Sequence, residues 1–224
     1  MFSKRIIEPE LLDHLPAEEA RPNLADLVRI NQRFGGHSVI RKSLARVVRK
    51  GEPFTVLDVG AASGDTARLV RKLYPAASAV SLDYSAANLQ MAPPPKVIAD
   101  AFALPFRTGS FDYVMSSLFL HHFTDEQVIE LLRGFYRLSR RALIMCDLER
   151  HPLPYWFLPT TKALFGWNKI TVNDGRISVR AAFRRHELLD LARRAGVEDA
   201  EVQTFRPAFR LSLLAQKRTW SAAE

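Results

Sequence analysis

The stretch Val56-Leu57-Asp58-Val59-Gly60-Ala61-Ala62-Ser63-Gly64-Asp65 decides the fold of this chain. Residues of β-forming character from Thr55 to Asp58 lead into a turn of small residues that contains two glycines, and an amphipathic helical pattern follows at once. This order predicts a strand, a tight turn and a helix. The turn amides and the helix N-terminus would face a ligand beyond the carboxyl end of the strand.

The chemistry of this glycine loop limits its ligand. A dinucleotide-binding loop of the form G-x-G-x-x-G would have glycines at positions 60, 62 and 65, but this chain has Ala62 and Asp65. Asp58 and Asp65 put negative charge where a pyrophosphate would lie. They fit a cationic ligand without phosphate, such as S-adenosylmethionine. The alternative is an ordinary turn in which Asp65 only favours the positive helix end, and the loop by itself leaves both open.

Composition indicates one globular α/β domain. The chain has 224 residues, of which 47% are hydrophobic and 25% are charged. Cys146 is the only cysteine, which excludes a disulfide framework and a thiolate metal site. No apolar run approaches the ~18 residues of a membrane helix, and the first residues lack the apolar core of a signal peptide. We therefore expect a cytoplasmic protein with no membrane span.

The net charge of +8 at pH 7 raises the question of an acidic partner, such as RNA or an acidic membrane. The basic residues are spread over the polar sides of several helical patterns. This distribution favours solvated helix faces over a nucleic-acid site. Nothing in the sequence indicates the oligomeric state.

Residues 1–50 read as a helical cap over the loop, with helices predicted over 9–20, 23–34 and 38–50. Phe34 and His37 lie at the bend between the last two helices. They are candidates for the substrate pocket, and His37 is also a weaker candidate for a proton-transfer group. The alternative, a tight helix–helix turn with no ligand, is equally open.

The segments after the loop alternate between strand and helix, which predicts a parallel sheet with helices on both faces. Thr124 and Gln127 form a capping-box pattern at the start of one helix. The last two strands are joined only by Pro207-Ala208, so they must be antiparallel. The predicted strands are 55–58, 79–82, 96–99, 111–116, 141–147, 201–206 and 209–216, and the predicted helices are 65–73, 125–138, 184–195 and a short one from residue 85.

The regular pattern lapses over residues 149–182, which are rich in proline and aromatic residues. We predict a lid that lines an apolar pocket with Tyr155, Trp156 and Trp167. The alternative is a helical satellite that packs its own small core.

Polar residues recur at the carboxyl ends of four predicted strands, and open α/β sheets bind ligands at that edge. Asp83 lies about 20 residues after the glycine loop, where an acidic residue accepts hydrogen bonds from ribose hydroxyls. It could equally cap the helix that starts near Ser85. Asp100 and Ala101 are placed to read an adenine edge. The full set is Asp58, Asp83, Asp100 and Ser116/Ser117.

Four motifs in this order resemble the class I S-adenosylmethionine-dependent methyltransferases. They are Val-Leu-Asp-Val-Gly-Ala-Ala-Ser-Gly-Asp at 56–65, Ser-Leu-Asp-Tyr-Ser at 81–85, Ala-Asp-Ala-Phe-Ala-Leu-Pro-Phe at 99–106 and Ser-Phe-Asp-Tyr-Val at 110–114. Leu-Phe-Leu-His-His-Phe at 118–123 is similar to the branch that methylates quinones, phenols and other small molecules. The match covers residues 54–148, with a looser echo from 183 to 196 and in the final hairpin. The family loop is G-x-G-x-G, from which Ala62 departs.

The resemblance implies a Rossmann-like seven-stranded sheet of order 3-2-1-4-5-7-6, with strand 7 antiparallel, in a single domain. Its parts would be a cap (1–50), a cofactor-binding core (51–148), a lid (149–182) and a final helix and hairpin (183–217). S-adenosylmethionine would be the cofactor and S-adenosylhomocysteine the product. The resemblance implies that Gly60 and Gly64 approach the methionine part, that Asp58 orients the loop, and that Ser117 lies near the sulfonium. It assigns the ribose to Asp83 and adenine to Asp100 and Ala101. Ala61, Tyr84 and Ser116 are further candidates for cofactor binding.

Methyl transfer is an in-line displacement at an activated carbon, so the protein acts mainly by positioning the acceptor. A phenolic acceptor must also lose a proton, and His121 and His122 are the candidate bases. The alternative is that one histidine packs and the other caps the turn before Thr124. We expect no metal, because no set of ligands shares a suitable spacing along the sequence.

We expect a small apolar or aromatic acceptor, although the sequence leaves open whether O, N or C is methylated. An RNA methyltransferase is the alternative, but residues 116–119 read Ser-Ser-Leu-Phe and lack the Asn/Asp-Pro-Pro-Tyr type of element. The loop disfavours a nicotinamide oxidoreductase. A non-catalytic protein that binds S-adenosylmethionine is a further alternative.

Overall fold

The computed structural model describes residues 2–217. Its centre is a seven-stranded sheet with the order β3-β2-β1-β4-β5-β7-β6, which confirms the predicted topology. The pairs β1–β2, β1–β4, β2–β3 and β4–β5 are parallel, and β7 is antiparallel to both β5 and β6. The strands are β1 (Phe54–Val59), β2 (Ala77–Asp83), β3 (Lys96–Ile98), β4 (Phe111–Ser117), β5 (Ser139–Leu148), β6 (Ala200–Phe205) and β7 (Arg210–Gln216).

Helices cover both faces of this sheet. The α-helices are α1 (Ala17–Arg33), α2 (Gly36–Ala45), α3 (Asp65–Leu73), α4 (Asp125–Leu138), α5 (Pro152–Phe165), α6 (Lys169–Ala181) and α7 (Arg185–Arg194). Short 3₁₀ turns occur at Leu11–His14, Asn88–Met91 and Leu120–His122. Leu44 of α2 and Val70 of α3 are buried on one face, and Phe135 of α4 and Leu188 of α7 are buried on the other. No helix in residues 2–217 is both long enough and apolar enough to cross a bilayer.

The N-terminal helices differ from the prediction. A helix over 9–20 was wrong, because a single helix, α1, begins at Ala17 and continues through Pro22. Pro16 is its N-cap, which leaves no helical hydrogen bond for this proline to break. The helix predicted over 38–50 begins earlier, at Gly36, and ends at Ala45. The helix predicted from residue 85 is only the 3₁₀ turn Asn88–Met91.

Residues 149–182 are regular, although the sequence pattern lapses there. Pro152 lies in the first turn of α5, and the His151 side chain accepts a hydrogen bond from the Leu153 amide. Gly166, in the left-handed conformation, ends α5, and Asn168 caps α6 through the Ile170 amide. Pro152 and Pro154 lie in the first turn of α5, where a proline removes no helical hydrogen bond, whereas Pro159 lies inside the helix.

The segment before α1 runs over α6. The Ile6 amide donates to the Arg180 carbonyl at 3.1 Å, and the amides of Leu11 and Leu12 each donate to the Asp174 carboxylate at 3.0 Å. The Arg5 guanidinium donates to the Phe123 carbonyl at 2.8 Å. These contacts carry the segment to the carboxyl edge of the sheet.

Candidate active site

A cavity of about 1170 Å³ lies at the carboxyl edge of the sheet. The glycine loop, the ends of β2 and β4, and the turn before β7 line one side of it, and α1, α5 and α6 line the other. Ligand sites in proteins commonly measure about 300–1,000 Å³. The volume is therefore enough for a nucleoside-sized cofactor together with a small second molecule.

The glycine loop has a backbone that requires small residues. Gly60 has φ +70°, and a Cβ atom there would lie 2.3 Å from the Phe119 ring. Gly64 has φ +76°, and its Cβ would lie 2.9 Å from the Ala92 backbone. Gly60 lines the cavity with Ala61, but Gly64 does not, because it faces the chain after the Asn88–Met91 turn. The prediction that Gly64 faces the ligand is corrected accordingly.

Asp83 holds the loop and also lines the cavity. Its carboxylate accepts hydrogen bonds from the Ala62 amide at 2.8 Å and from the Ser85 amide at 2.9 Å. Each carboxylate oxygen has a second lone pair. The sequence analysis gave two alternatives for Asp83, hydrogen bonding to a ligand and capping of the turn near Ser85. One carboxylate can do both.

Three carboxylates surround the loop. Asp58 is buried beneath it and does not line the cavity. Burial, followed by repulsion from Asp65 and Asp83, raises the pKa of Asp58 to about 8. Asp65 lines the cavity and pairs with His37, whose Nε2 lies 2.8 Å from the Asp65 Oδ2. His37 does not line the cavity, in contrast to the prediction, because its ring is turned to Asp65. The local field favours a cationic ligand.

The remaining candidate cofactor-binding residues differ in whether their side chains line the cavity, and strand geometry explains the difference. Tyr84, Asp100 and Ala101 line the cavity. Ser117 lines it too, whereas Ser116 is buried and its hydroxyl lies 3.1 Å from the Met145 sulfur. Neighbouring side chains of a strand point to opposite faces, so only one of the two serines can reach the cavity.

Helices α1, α5 and α6 form an apolar wall. Leu27, Val28 and Phe34 from α1 and its C-cap contribute, and so do Phe157 and Leu158 from α5. Gly175 and Val179 of α6 complete this side. The prediction that Phe34 lies at the pocket agrees with this placement.

The other predicted aromatic residues point elsewhere. Tyr155 is buried and receives a hydrogen bond from Arg176, Trp156 is 51% exposed, and Trp167 donates to the Thr161 hydroxyl at 3.0 Å. Positions three and four apart share one helix face, so Pro154, Phe157 and Leu158 face the cavity while Tyr155 and Trp156 do not. Trp167 packs with Phe165 and Phe34 at ring distances of 5.2 and 6.1 Å. Residues 149–182 therefore both line a cavity and pack a small aromatic core.

His121 lies between two carboxylates. Its Nδ1 is 2.6 Å from the Asp147 Oδ1, and its Nε2 is 3.7 Å from the Glu10 Oε1. Burial lowers the pKa of His121, but attraction by Asp147 and Glu10 and the hydrogen bond to Asp147 outweigh it and raise the pKa to about 9. Burial opposes the ionisation of Asp147 and Glu10. The neighbouring His121 imidazolium is the main cause that outweighs burial and holds the pKa of both carboxyl groups below the ordinary range. His121 is thus protonated at neutral pH.

His122 stacks on His121 with a ring distance of 4.4 Å and lines the cavity. Among the residues whose side chains the structure describes, Glu10, His121 and His122 form the one group of three such side chains whose ligand atoms all lie within 4.8 Å of one another. Imidazole and carboxylate are metal-binding groups. Sequence spacing did not reveal this group, because Glu10 reaches it from the N-terminal segment. The Glu10 carboxylate also accepts a hydrogen bond from the Ser178 hydroxyl.

Residues 57–143 match the family profile described as a methyltransferase domain. Residues 57–143 carry a methyltransferase domain. This confirms the resemblance drawn from the four motifs, and the cofactor of this class is S-adenosylmethionine. The chain is 29% identical over 146 residues to the demethylmenaquinone methyltransferase of Thermotoga maritima, a match that covers 63% of this chain and 60% of that protein.

Solved structures share the fold of this methyltransferase domain. The plantazolicin methyltransferase BpumL in complex with SAH aligns with a TM-score of 0.67 and 16% identity, over 89% of this chain and 91% of that one. The complex between the Haloferax volcanii Trm112 methyltransferase activator and a methyltransferase aligns with a TM-score of 0.62 and 16% identity, over 93% of this chain and 98% of that one. At these identities the likeness is one of fold.

The sequence analysis did not identify several residues that line the cavity, and three of them bear on function. Glu10 comes from the N-terminal segment, Phe119 covers Gly60, and Arg210 begins β7. Phe119 lies within the Leu-Phe-Leu-His-His-Phe motif, which was a usable signal. Glu10 and Arg210 carry no local signal, since they reach the cavity only through the tertiary fold.

Proposed function

We propose that this chain transfers the methyl group of S-adenosylmethionine to a small apolar or aromatic acceptor by in-line displacement. One observation carries the proposal: a continuous cavity joins the glycine loop to the apolar wall of α1, α5 and α6. A cofactor at the loop and an acceptor at the wall would share this space. Holding both in line supplies most of the catalysis that such a reaction needs.

The cofactor half of the proposal rests on the residues at the sheet edge. Gly60 and Ala61 would approach the methionine part, and Ser117 would lie near the sulfonium. Asp83 and Tyr84 would hold the ribose, and Asp100 and Ala101 would read adenine. Asp65 and Asp83 line the same cavity, so the sulfonium and ammonium of the cofactor would enter a region of negative charge.

The acceptor half rests on the apolar wall. Leucine, valine and phenylalanine side chains from three helices face the cavity, which favours a flat or aliphatic molecule over a strongly polar one. The Thermotoga maritima relative is a demethylmenaquinone methyltransferase, which supports a quinone, phenol or polyketide-like acceptor. Location in a reducing cytoplasm is part of the proposal, supported by the buried free thiol of Cys146.

A hydroxyl acceptor must lose its proton to a general base. His121 and His122 differ in how well they can serve as that base. His121 has a pKa of about 9 and carries its proton at neutral pH, so it is a poor base. We propose that His122, which lines the cavity beside it, receives the proton, and that the His121 imidazolium positions His122 by ring stacking. If so, His122→Gln lowers kcat by about 10²–10⁴-fold, the usual share of general-base catalysis.

Calorimetric titration with S-adenosylmethionine and S-adenosylhomocysteine tests the cofactor half. We expect both to bind, and Asp83→Ala to abolish binding because the loop loses its carboxylate anchor. Asp190→Ala, at an exposed position of α7, is the matched control and should bind as the wild type does. An absence of binding to the wild type would refute the proposed function. Turnover of phenol and quinone acceptors by mass spectrometry then tests transfer, and binding without any transfer would favour a non-catalytic protein.

An RNA methyltransferase is the second candidate, favoured by the net charge of +8. Neutralised phosphates would make binding fall steeply with salt. Titration with a labelled RNA at low ionic strength tests this candidate. Binding no tighter than that of a neutral protein of similar size would remove it, whereas methyl incorporation into RNA would replace the small-molecule proposal.

A further inference from the structure

Arg210 occupies an unusual position for an arginine. It is the first residue of β7, lines the cavity, and is only 6% exposed. The antiparallel register pairs it with Leu148 at the end of β5 and pairs the next residue, Leu211, with Asp147. Arg210 and Asp147 therefore point to opposite faces of the sheet.

The guanidinium of Arg210 has no polar partner in the described part of the chain. Among the side chains that the structure describes, none forms a hydrogen bond or an ion pair within 4.0 Å with it, and its Nε is fully enclosed. Burial lowers the pKa of Arg210 to about 10, and attraction by Asp147 and Cys146 only partly offsets this effect. An unpaired buried charge destabilises a fold, so such a residue is retained for another reason.

Other buried arginines of this chain are paired. Arg150, which is 3% exposed, forms an ion pair with Glu187 and donates to the Ala182 carbonyl at 2.6 Å. Arg5 pairs with Asp125 and donates to three backbone carbonyls. The fold thus supplies acceptors where an arginine is structural, and Arg210 differs because it faces a cavity instead.

The surroundings of Arg210 add positive charge. Lys42 and Arg206 also line this cavity, and Arg206 already pairs with Glu149 at 2.7 Å. The carboxylates that line the cavity, Glu10, Asp65, Asp83 and Asp100, lie on other elements. An anion that enters near β7 would meet a free guanidinium whose planar fork binds carboxylates through two hydrogen bonds.

We propose that Arg210 is the anion-binding residue of this cavity and holds a carboxylate of the bound molecules. The proposal deepens the proposed methyl transfer and rests on it. Two molecules could bring the carboxylate: the methionine part of the cofactor, or an acidic acceptor such as an aromatic acid. The chemistry of recognition is the same in both cases.

The first arm of the test compares two cofactor fragments by calorimetry. S-adenosylhomocysteine carries the amino-acid carboxylate and 5′-methylthioadenosine lacks it. If the carboxylate is that of the cofactor, Arg210→Met lowers the affinity for S-adenosylhomocysteine by about 10-fold or more, as expected for the loss of a charged hydrogen-bonded pair. Binding of 5′-methylthioadenosine then stays unchanged, and Arg210→Lys restores part of the loss. Arg133→Gln, an exposed position of α4, is the matched control.

The second arm applies if S-adenosylhomocysteine binds the variant normally. Benzoate and benzamide are then titrated into the protein saturated with S-adenosylhomocysteine. We expect the wild type to prefer benzoate and Arg210→Met to lose the preference, which assigns the carboxylate to the acceptor. If neither arm responds to the substitution, the proposal is overturned.

Thermal unfolding without ligand separates this role from a structural one. Because Arg210 is buried without a partner, Arg210→Met should unfold at the same temperature as the wild type or a higher one. A lower temperature that Arg210→Lys restores would show a structural residue and overturn the proposal. Failure of the wild type to bind S-adenosylhomocysteine refutes the proposed function instead, and the benzoate preference of the ligand-free protein then decides the role of Arg210.

Discussion

At the scale of single residues, Gly60 is the position where one added methyl group has the most direct consequence. Its φ of +70° disfavours any side chain, and the new Cβ would lie 2.3 Å from the Phe119 ring. We expect Gly60→Ala to lower the free energy of unfolding by about 1–3 kcal/mol. We also expect it to weaken S-adenosylhomocysteine binding, because the ring must move within the cavity. Thermal unfolding and calorimetry measure the two effects.

Gly134 provides the control for this prediction. It lies inside α4, and an added Cβ meets no atom within 4 Å. Gly134→Ala should therefore stabilise the protein by about 0.5–1 kcal/mol through the lower entropy of the unfolded chain. If Gly60→Ala behaved like Gly134→Ala, the geometry described for the loop would be wrong.

Asp58 makes a prediction about pH. Its pKa is raised from 3.8 to about 8 in the folded state, and its Oδ2 has no hydrogen-bond partner among the described residues. The contribution of Asp58 to the free energy of unfolding is fully present below pH 3.8 and is lost as the pH rises through 8. Asp58→Asn mimics the protonated form, so we expect it to be more stable than the wild type at pH 8 and similar at low pH. At about 1.4 kcal/mol per pKa unit, the gain is a few kcal/mol at most.

Urea unfolding at a series of pH values measures this difference. The difference in the free energy of unfolding between Asp58→Asn and the wild type should widen from pH 4 to about 8, the pKa of Asp58. Bound S-adenosylmethionine should narrow it, since a cationic ligand stabilises the ionised carboxylate. A gap that does not depend on pH would show that Asp58 is ionised throughout.

At the scale of elements, the packing of α5 on α6 shapes the acceptor half of the cavity. A Cβ atom at Gly175 would lie 2.3 Å from the Leu158 Cδ1, and both residues line the cavity. We expect Gly175→Ala to push Leu158 into this space. Overpacking of this kind costs about 1–3 kcal/mol, and here part of it should appear as weaker acceptor binding.

Steady-state kinetics with each substrate varied in turn measures this effect. The KM for the acceptor should rise in Gly175→Ala while the affinity for S-adenosylhomocysteine stays unchanged, because the glycine loop is untouched. The double variant Gly175→Ala/Leu158→Ala restores the room and should recover acceptor binding. An equal loss for cofactor and acceptor would contradict a wall specific to the acceptor.

At the scale of the whole molecule, His121 joins three parts of the chain that are distant in sequence. It bonds Asp147 at the end of β5, follows β4 itself, and faces Glu10 of the N-terminal segment, which is bonded in turn to Ser178 of α6. This cluster makes the stability of the whole fold depend on pH. Removing the imidazole would leave buried carboxylates unpaired, which costs about 3–5 kcal/mol.

The pKa of His121 is raised from 6.5 to about 9, so its contribution is complete below pH 6.5 and is lost as pH rises through 9. The pKa values of Glu10 and Asp147 are lowered, so their contribution is lost as pH falls below 4.5 and 3.8. We therefore expect the wild type to lose stability between pH 6.5 and 9 more steeply than His121→Gln. Free energies of unfolding from urea titrations measure both slopes, and parallel slopes would contradict a protonated His121.

The sequence by itself determined the bounds of α3 and α4, the capping box at Thr124, and the antiparallel final hairpin, whereas the strand order of the sheet came from the family resemblance of its four motifs. These features follow from local physics: alternating periodicity, helix caps, and the φ freedom of glycine in one turn. The same local patterns placed Gly60, Asp83, Asp100 and Ser117 at one edge, because parallel strands end together there.

Only the tertiary structure decided which side chains face the cavity. The rotation of α5 about its axis turns Phe157 inward and Trp156 outward, and the pleat of β4 turns Ser117 inward and Ser116 away. Glu10 and Arg210 are far apart in sequence, yet both reach the cavity. Long-range packing determines these placements, and it also brings Asp147 and Glu10 to His121, where the two carboxylates raise the pKa of the imidazole against the effect of burial. No spacing along the chain encodes them, because each depends on packing between elements.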